Sequence, residues 1–524
     1  MEDARLARVI LSSSRVLKVY STGDDSTNRM HPLDNEPSWT TFIRNENTLY
    51  TRPLLGSELL SEQFSRWTDG IGEISFALTL RSPLPFDEVA SRLRYAIAHL
   101  RFTSPLVASA LEEGIHDPRF QSWVYAPARS VQDALDWAED AVVVLSDRIH
   151  ADDLTAKVVK GRLPYVLPNG RELIFRCFLA RSPATAINGD AGTMKDDEVS
   201  ILFHSTHGIM DARPTLSVFS LVLEWMSNPT REPLETLAWG TETENLPVGP
   251  VTATGGPRPT WETEGMALMG KIMQEHASPV RPLSLTPQRP KLGTLGQVVK
   301  TIAALDEDQT ARVVAATKAA GFTMSHLLEA AHKLAILSFH DTSDPVVWNA
   351  RLLNPMISMA LQRRYLVPPH DGKGKLVSAI CYLPASIPVV DILSAEPDTP
   401  KGHLLAAMRG FKAHYDEYQR NPHLPHACAA AAVLAPPLEP VVSSNPYCSV
   451  LSNIGITEDW LPDEWYRDGA EKGEGLLIEV MGFAMCQRMT NGVPSCTTWT
   501  IRSKLHVQVS VSDAISRPNI EGVC

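Results

Sequence analysis

Ten prolines crowd into residues 227–293, between Pro229 and Pro290, with Gly255 and Gly256 among them. Proline locks φ and has no backbone N–H, so neither a long helix nor a central strand can run through such a stretch. The chain is thereby split into two lengths that fold around separate sheets, joined by a long crossover with room for one short helix near 264–275. The expected organisation is an N-terminal lobe over 1–226, a Pro-rich crossover over 227–293 and a C-terminal lobe over 294–524.

Both lengths mix strand and helix periodicities. Residues 74–80 alternate as a strand does, and a helical face follows from 86 to about 100 through Val89, Leu93, Ala96 and Ile97. Further strands are expected at 121–125, 172–179 and 198–204. Leu216, Phe219, Leu223 and Met226 then recur at helical spacing after Pro214, a proline suited to a first helical turn. Beyond the crossover, a strand at 296–303 precedes helices at 306–320 and 325–337. Strands are expected again at 346–350, 376–383, 449–454, 476–485 and 497–511. This order predicts an α/β protein of two lobes, each a mixed sheet with packed helices.

With 44% hydrophobic and 21% charged residues the chain can build a large core. A formal net charge of -12 and the lack of any Lys/Arg-rich run disfavour nucleic acid or an anionic membrane as partner. The seven cysteines are scattered and form no C-x-x-C, which disfavours a disulfide framework or zinc ribbon. No apolar run approaches the ~18 residues of a membrane span. A cytoplasmic monomer without stable membrane insertion is expected.

The candidate chemistry lies in Phe203-His204-Ser205-Thr206-His207-Gly208-Ile209-Met210-Asp211, at the end of a strand and the start of a helix. Histidine suits general-base work because its unperturbed pKa is about 6.5, and a nearby carboxylate can orient it. The competing reading makes His207 a loop histidine and Asp211 a helix cap. A metal site of His204, His207 and Asp211 lacks a second ligand cluster, so no metal is assigned. Residues 265–271 match part of a phosphate-binding loop, but Ile272 stands where Ser or Thr is needed and no strand precedes them. There is no G-x-S-x-G elbow.

His207 followed three spacers later by Asp211 resembles the H-x-x-x-D signature of the CoA-dependent acyltransferase superfamily, which includes chloramphenicol acetyltransferase, BAHD acyltransferases and peptide-synthetase condensation domains. Weaker likenesses keep the family's order. They are residues 96–107 for the first helix and its ending, Trp348 to Arg351 for a strand ending in Arg, 363–369 before the inter-lobe strand, Ser452-Asn453-Ile454-Gly455 for an S-N-x-G, and 498–505 for a late hairpin. Residues 237–242 with Leu246-Pro247 resemble fungal O-acetyltransferases of secondary metabolism, the trichothecene 15-O-acetyltransferase type being nearest. There are departures. Ala212 replaces the glycine that often follows the motif, Thr206 replaces the first His of the condensation pair, and the BAHD D-F-G-W-G is absent.

The resemblance implies a two-lobe chloramphenicol-acetyltransferase-like fold with a tunnel at the lobe interface. It implies acyl transfer, most simply of acetyl, from acyl-CoA to a hydroxyl of a small, largely apolar metabolite, with His207 as base, no covalent enzyme intermediate and no permanently bound cofactor. Asp211 would be architectural and paired with Arg351. Ser452, Asn453 and Gly455 are candidates for the oxyanion and CoA side. The alternatives are an acyl-CoA-binding homologue without catalysis and an amide-forming condensation-type enzyme.

Overall fold

The computed structural model describes residues 36–117, 120–183, 198–285, 296–360, 365–371, 374–376, 380–434, 449–469, 474–490 and 494–513. The N-terminal half contributes helix α1 (Ser57–Trp67), strand β1 (Glu73–Arg81), helix α2 (Phe86–Thr103), strand β2 (Val142–Arg148), helix α3 (Ala151–Val158), strands β3 (Phe175–Arg181) and β4 (Glu198–Thr206), and helix α4 (Ala212–Ser227). The C-terminal half contributes β5 (Val298–Ala304), α5 (Met324–Leu337), β6 (Arg351–Ala360), β7 (Ile380–Pro388), α6 (Pro400–Arg420), β8 (Val450–Ile456), β9 (Glu464–Tyr466), β10 (Leu476–Gln487), β11 (Ser495–Ile501) and β12 (Lys504–Ser512).

The main sheet runs β9-β10-β1-β4-β3-β2, antiparallel except for the β3–β2 pair. Two of its strands, β9 and β10, come from the C-terminal half. β1 and β4 are central and buried along almost their whole length, which explains their near-continuous apolar runs. On one face α2 and α4 pack together over the sheet, with Phe203 and Phe219 stacked at 4.1 Å between ring centroids. On the other face α3 covers Ala77, Phe178 and Leu202. A second sheet runs β5-β12-β11-β8, and β6 pairs with β7 beside it under α5 and α6.

Among the described residues the crossover folds into short turns, a four-residue helix at Pro250–Ala253 and a longer helix, Met266–His276, preceded by a turn of π-helix at Trp261–Gly265. The glycine-rich match at 265–271 therefore lies in helix. The crossover is pinned by Glu242, a fully buried carboxylate that accepts hydrogen bonds from the Tyr125 hydroxyl (2.9 Å) and the amides of Ala128 and Gly240 (2.6 Å each). Trp239 packs edge-on against Phe102. These contacts give residues 237–242 a structural job: they fasten the crossover to the N-terminal half.

The strand expected at 346–350 is instead a helical turn, Pro345–Trp348. The Asp344 side chain accepts the Val346 amide at 2.8 Å, and Pro345 occupies the first helical position. This Asp-Pro start outweighs the β-branched pair Val346-Val347. The strand expected at 172–179 divides into Glu172–Leu173 and β3. Of the segment 363–369, residues 363 and 364 lie outside the described residues. Cys177, Cys381, Cys486 and Cys496 are buried and unbridged.

Candidate active site

β4 ends at Thr206, and the chain turns before α4 begins at Ala212. The turn is tied from inside: the amides of Ile209 and Met210 both donate to the Thr206 carbonyl at 3.1 Å, and that of Gly208 donates to the Thr206 hydroxyl at 3.2 Å. The fully buried side chains of Ile209 and Met210 anchor it in the core. The three spacers of the motif are therefore turn and anchor, and they leave His207 at the rim of a cavity. The His207 amide donates to the Gly72 carbonyl at 3.2 Å, binding the motif to the turn before β1.

The cavity, of about 180 Å³, brings together both halves of the chain. His207, Asp211 and Ala212 line it beside Ile74 and Phe76 of β1, Met356 of β6, Tyr382 of β7 and Ser452 of β8. Ser495 and Thr497 of β11 and Gln487 of β10 add polar groups to a mainly apolar wall. Ser452 and Thr497 are register partners on parallel strands, so their side chains share a face. Ile74 and Phe76 were legible as strand residues. Their place in the cavity, and that of Tyr382, Gln487 and Thr497, follows from strand pairing across hundreds of residues and carries no local signal.

Asp211 is buried, and its Oδ1 accepts the Ala212 amide at 2.9 Å, so it is the N-cap of α4 while also lining the cavity. The expected pairing of Asp211 with Arg351 is not what the structure holds. Arg351 donates through Nε to the Val280 carbonyl (3.0 Å), and through Nη1 to the Glu275 carbonyl (2.9 Å) and carboxylate (3.2 Å). Its carboxylate partner comes from the crossover helix, which no spacing argument could place.

Asn453 follows Ser452 on a strand, so its side chain faces away from the cavity. There its amide nitrogen donates to the Ser325 hydroxyl (3.1 Å), and its oxygen accepts from the Gly455 amide (3.1 Å) and the Thr498 hydroxyl (3.2 Å). Gly455 adopts φ 94°, a conformation favouring glycine, at an irregularity in the β8–β11 pairing. Next to it the Arg213 guanidinium donates through Nε to the Ile454 carbonyl at 3.2 Å. The first turn of α4 is thus tied directly to the strand that carries Ser452.

His204 faces elsewhere. It is fully buried, with Nδ1 at 2.5 Å from the Tyr165 hydroxyl. Burial pushes its pKa down to about 3, and Arg488 adds to the shift, so its imidazole is neutral at physiological pH. Among the described residues no three His, Cys, Asp or Glu side chains converge as metal ligands.

Residues 73–427 match the family model described as 15-O-acetyltransferase Tri3. Trichothecene 15-O-acetyltransferase TRI3 of Fusarium sporotrichioides is 23% identical over 485 residues, 87% of this chain and 89% of that protein. The solved structure of TRI3 from Fusarium sporotrichioides superposes with a TM-score of 0.75 at 20% identity, covering 92% of this chain and 95% of the other. The condensation domain of the Monacolin K polyketide synthase MokA superposes at 0.56 with 12% identity, covering 92% and 95%. SgcC5 of Streptomyces globisporus does so at 0.54 with 13% identity, covering 88% and 93%. The fold is therefore the mixed α/β fold shared by TRI3 and condensation domains. With a family model spanning well over half of its length, the chain belongs to the 15-O-acetyltransferase Tri3 family of acyltransferases.

Proposed function

We propose that this protein transfers an acyl group, most simply acetyl, from acyl-CoA to a hydroxyl of a small, largely apolar metabolite. The observation that carries the reading is one cavity in which His207, Asp211 and Ser452 meet between apolar walls. Nδ1 of His207 is enclosed and makes no hydrogen bond among the described residues, so proton abstraction falls to Nε2. Nε2 takes the acceptor's hydroxyl proton as the oxygen attacks the thioester carbonyl. The Ser452 hydroxyl donates to the developing oxyanion. Collapse breaks the carbon–sulfur bond, and the departing CoA thiolate takes the proton back from the imidazolium. No covalent enzyme intermediate and no resident cofactor is needed. Asp211 caps α4 and holds the loop. Asn453 and Gly455 shape β8 behind Ser452, and Arg351 braces the crossover. In this scheme the two substrates reach the cavity from opposite sides, through a tunnel between the lobes.

The test is thiol release from acetyl-CoA with a 15-hydroxy trichothecene as acceptor, the alcohol class in the relative's name. His207→Ala should lower the rate by ~10²–10⁴ with an unchanged circular-dichroism spectrum. Undiminished thiol release would remove the base assignment. Acetyl-CoA binding without turnover on any alcohol would favour a non-catalytic homologue, and turnover only with a carrier-bound amine would favour amide formation.

A further inference from the structure

Behind the cavity wall lies a cluster of four charged side chains drawn from residues 69 to 488. Glu73, at the start of β1, is fully buried and paired with Arg162, and the Ser65 hydroxyl donates to it at 3.3 Å. Arg162 also faces Asp69 at 3.4 Å. Asp69 receives Arg488 twice, Nε at its carbonyl (2.6 Å) and Nη2 at its carboxylate (2.7 Å). Arg488 further donates through Nη1 to the carbonyls of Val159 (3.0 Å) and Lys160 (2.8 Å), and its amide donates to the Glu73 carbonyl (2.8 Å). The Thr490 hydroxyl adds a bond to the Thr68 carbonyl at 2.6 Å.

What the cluster encloses is a turn built on left-handed backbone. Asp69 has φ 52°, Gly70 84° and Gly72 91°, three left-handed residues in four. An added Cβ at Gly70 would fall within 3.0 Å of Arg162, Glu73 and Arg488 atoms, so the glycine is there to admit the charges. Asp69 is the one left-handed residue of the three with a side chain, and such residues persist where surrounding contacts hold them. The turn ends in Ile71 and Gly72, which line the cavity, and the Gly72 carbonyl holds the His207 amide. Glu73 and Arg488 are buried, whereas Asp69 and Arg162 are partly exposed; buried charges are a poor way to stabilise a fold, since apolar groups of similar volume often do as well or better. They are a good way to hold one geometry.

We propose that the cluster positions His207: Asp69, Glu73, Arg162 and Arg488 clamp the left-handed turn whose Gly72 carbonyl sets the place of the catalytic loop. This rests on the reading of His207 as base. Glu73 and Asp69 are positioning residues, since neither lines the cavity. Glu73 is also poised to titrate. Burial pushes its pKa up to about 7 against the opposing pull of Arg162, the Leu163 amide, Arg488 and Ser65, and Tyr165 faces it as well.

Asp69→Asn and Glu73→Gln remove charge at nearly constant volume, and asparagine tolerates the left-handed conformation as readily as aspartate. With acetyl-CoA and a 15-hydroxy trichothecene, both variants should lose roughly 10–100-fold in kcat, as expected for a misplaced group, with little change in KM. Because the cluster needs ionised Glu73, log kcat in the wild type should fall toward acid pH with an added step of one to two log units that is absent from the profile of Glu73→Gln. Hydrogen exchange read at the His207 amide needs no turnover and should quicken in both variants. Wild-type kcat, acid profile and exchange in variants whose His207→Ala counterpart is inactive would overturn the clamp alone. An active His207→Ala would overturn the base assignment instead. If no acceptor turns over, unchanged exchange at His207 still overturns the clamp.

Discussion

At the scale of single residues, the two ends of the motif do different work. His207 stands at the cavity with its amide fixed by Gly72, whereas Asp211 closes the first turn of α4. The capping role means that Asp211→Asn should cost little through the cap alone, because asparagine caps about as well as aspartate. Asp211→Ala should cost ~1 kcal/mol of stability through the cap, and more through the buried contacts it leaves. Comparing urea midpoints of the two variants checks this; equal midpoints would show that the cap contributes nothing. Asn453 is a similar lesson. It looked like an oxyanion donor beside Ser452, yet strand alternation turns it to the opposite face, where Ser325, Gly455 and Thr498 occupy it.

At the scale of elements, catalytic geometry depends on α4 staying seated on β4 and tied to β8. The Phe203–Phe219 stack seats it, and both rings are fully buried. Phe219→Ala should destabilise the protein by ~3–5 kcal/mol, read from urea unfolding, through lost contact and the cavity left behind. A loss under ~1 kcal/mol would mean the helix is held elsewhere. Arg213 is the tie to β8. Arg213→Met should lower kcat more than it lowers the melting temperature, because it frees the Ser452 strand from the His207 loop without emptying a core site. A fall in stability alone would contradict that role. Two element starts carry a plain local signal. Thr399 caps α6 with Pro400 at its first position, the same signal that places the turn at Pro345. By contrast, the insertion of β9 and β10 into the N-terminal sheet has no signature in their own sequences. Their alternation says strand, and the choice of neighbours comes from complementary faces made available by the rest of the fold.

At the scale of the whole molecule, buried neutral histidines set the acid limit. Burial lowers His204 to about 3 and His99 and His426 to about 4. In the unfolded chain these groups take up protons near pH 6.5, but in the fold they resist until 3–4. The unfolded state therefore binds more protons over that window, and stability falls as pH falls from about 6.5 toward 4. Each group contributes up to ~1.4 kcal/mol per pH unit. Glu73, raised to about 7, opposes this between about 7 and 4.5, as do the burial-raised Glu62 and Glu329, while His276, His326, His332 and His506, also lowered by burial, add to it. Melting temperature should drop steadily from pH 6.5 to 4.5; a rise over that interval would contradict the balance.

The sequence by itself determined the elements whose periodicity and end signals agree: β1, α2, α4, the helix Glu307–Ala319 and α5 after β5, the late hairpin, and the break imposed by ten prolines. It also singled out His207 and Asp211, because a strand-end histidine and a helix-start carboxylate are local facts. Tertiary structure alone decided which distant side chains meet. Arg351 lies against Glu275, Ser452 beside Thr497 in the His207 cavity, and Glu73 among Arg162, Asp69 and Arg488. The reason is physical. Backbone hydrogen bonding and side-chain periodicity act over a few residues and leave a mark in sequence. Ion pairs and cavity walls form between segments brought together by the burial of apolar faces, which is non-directional and names no partner.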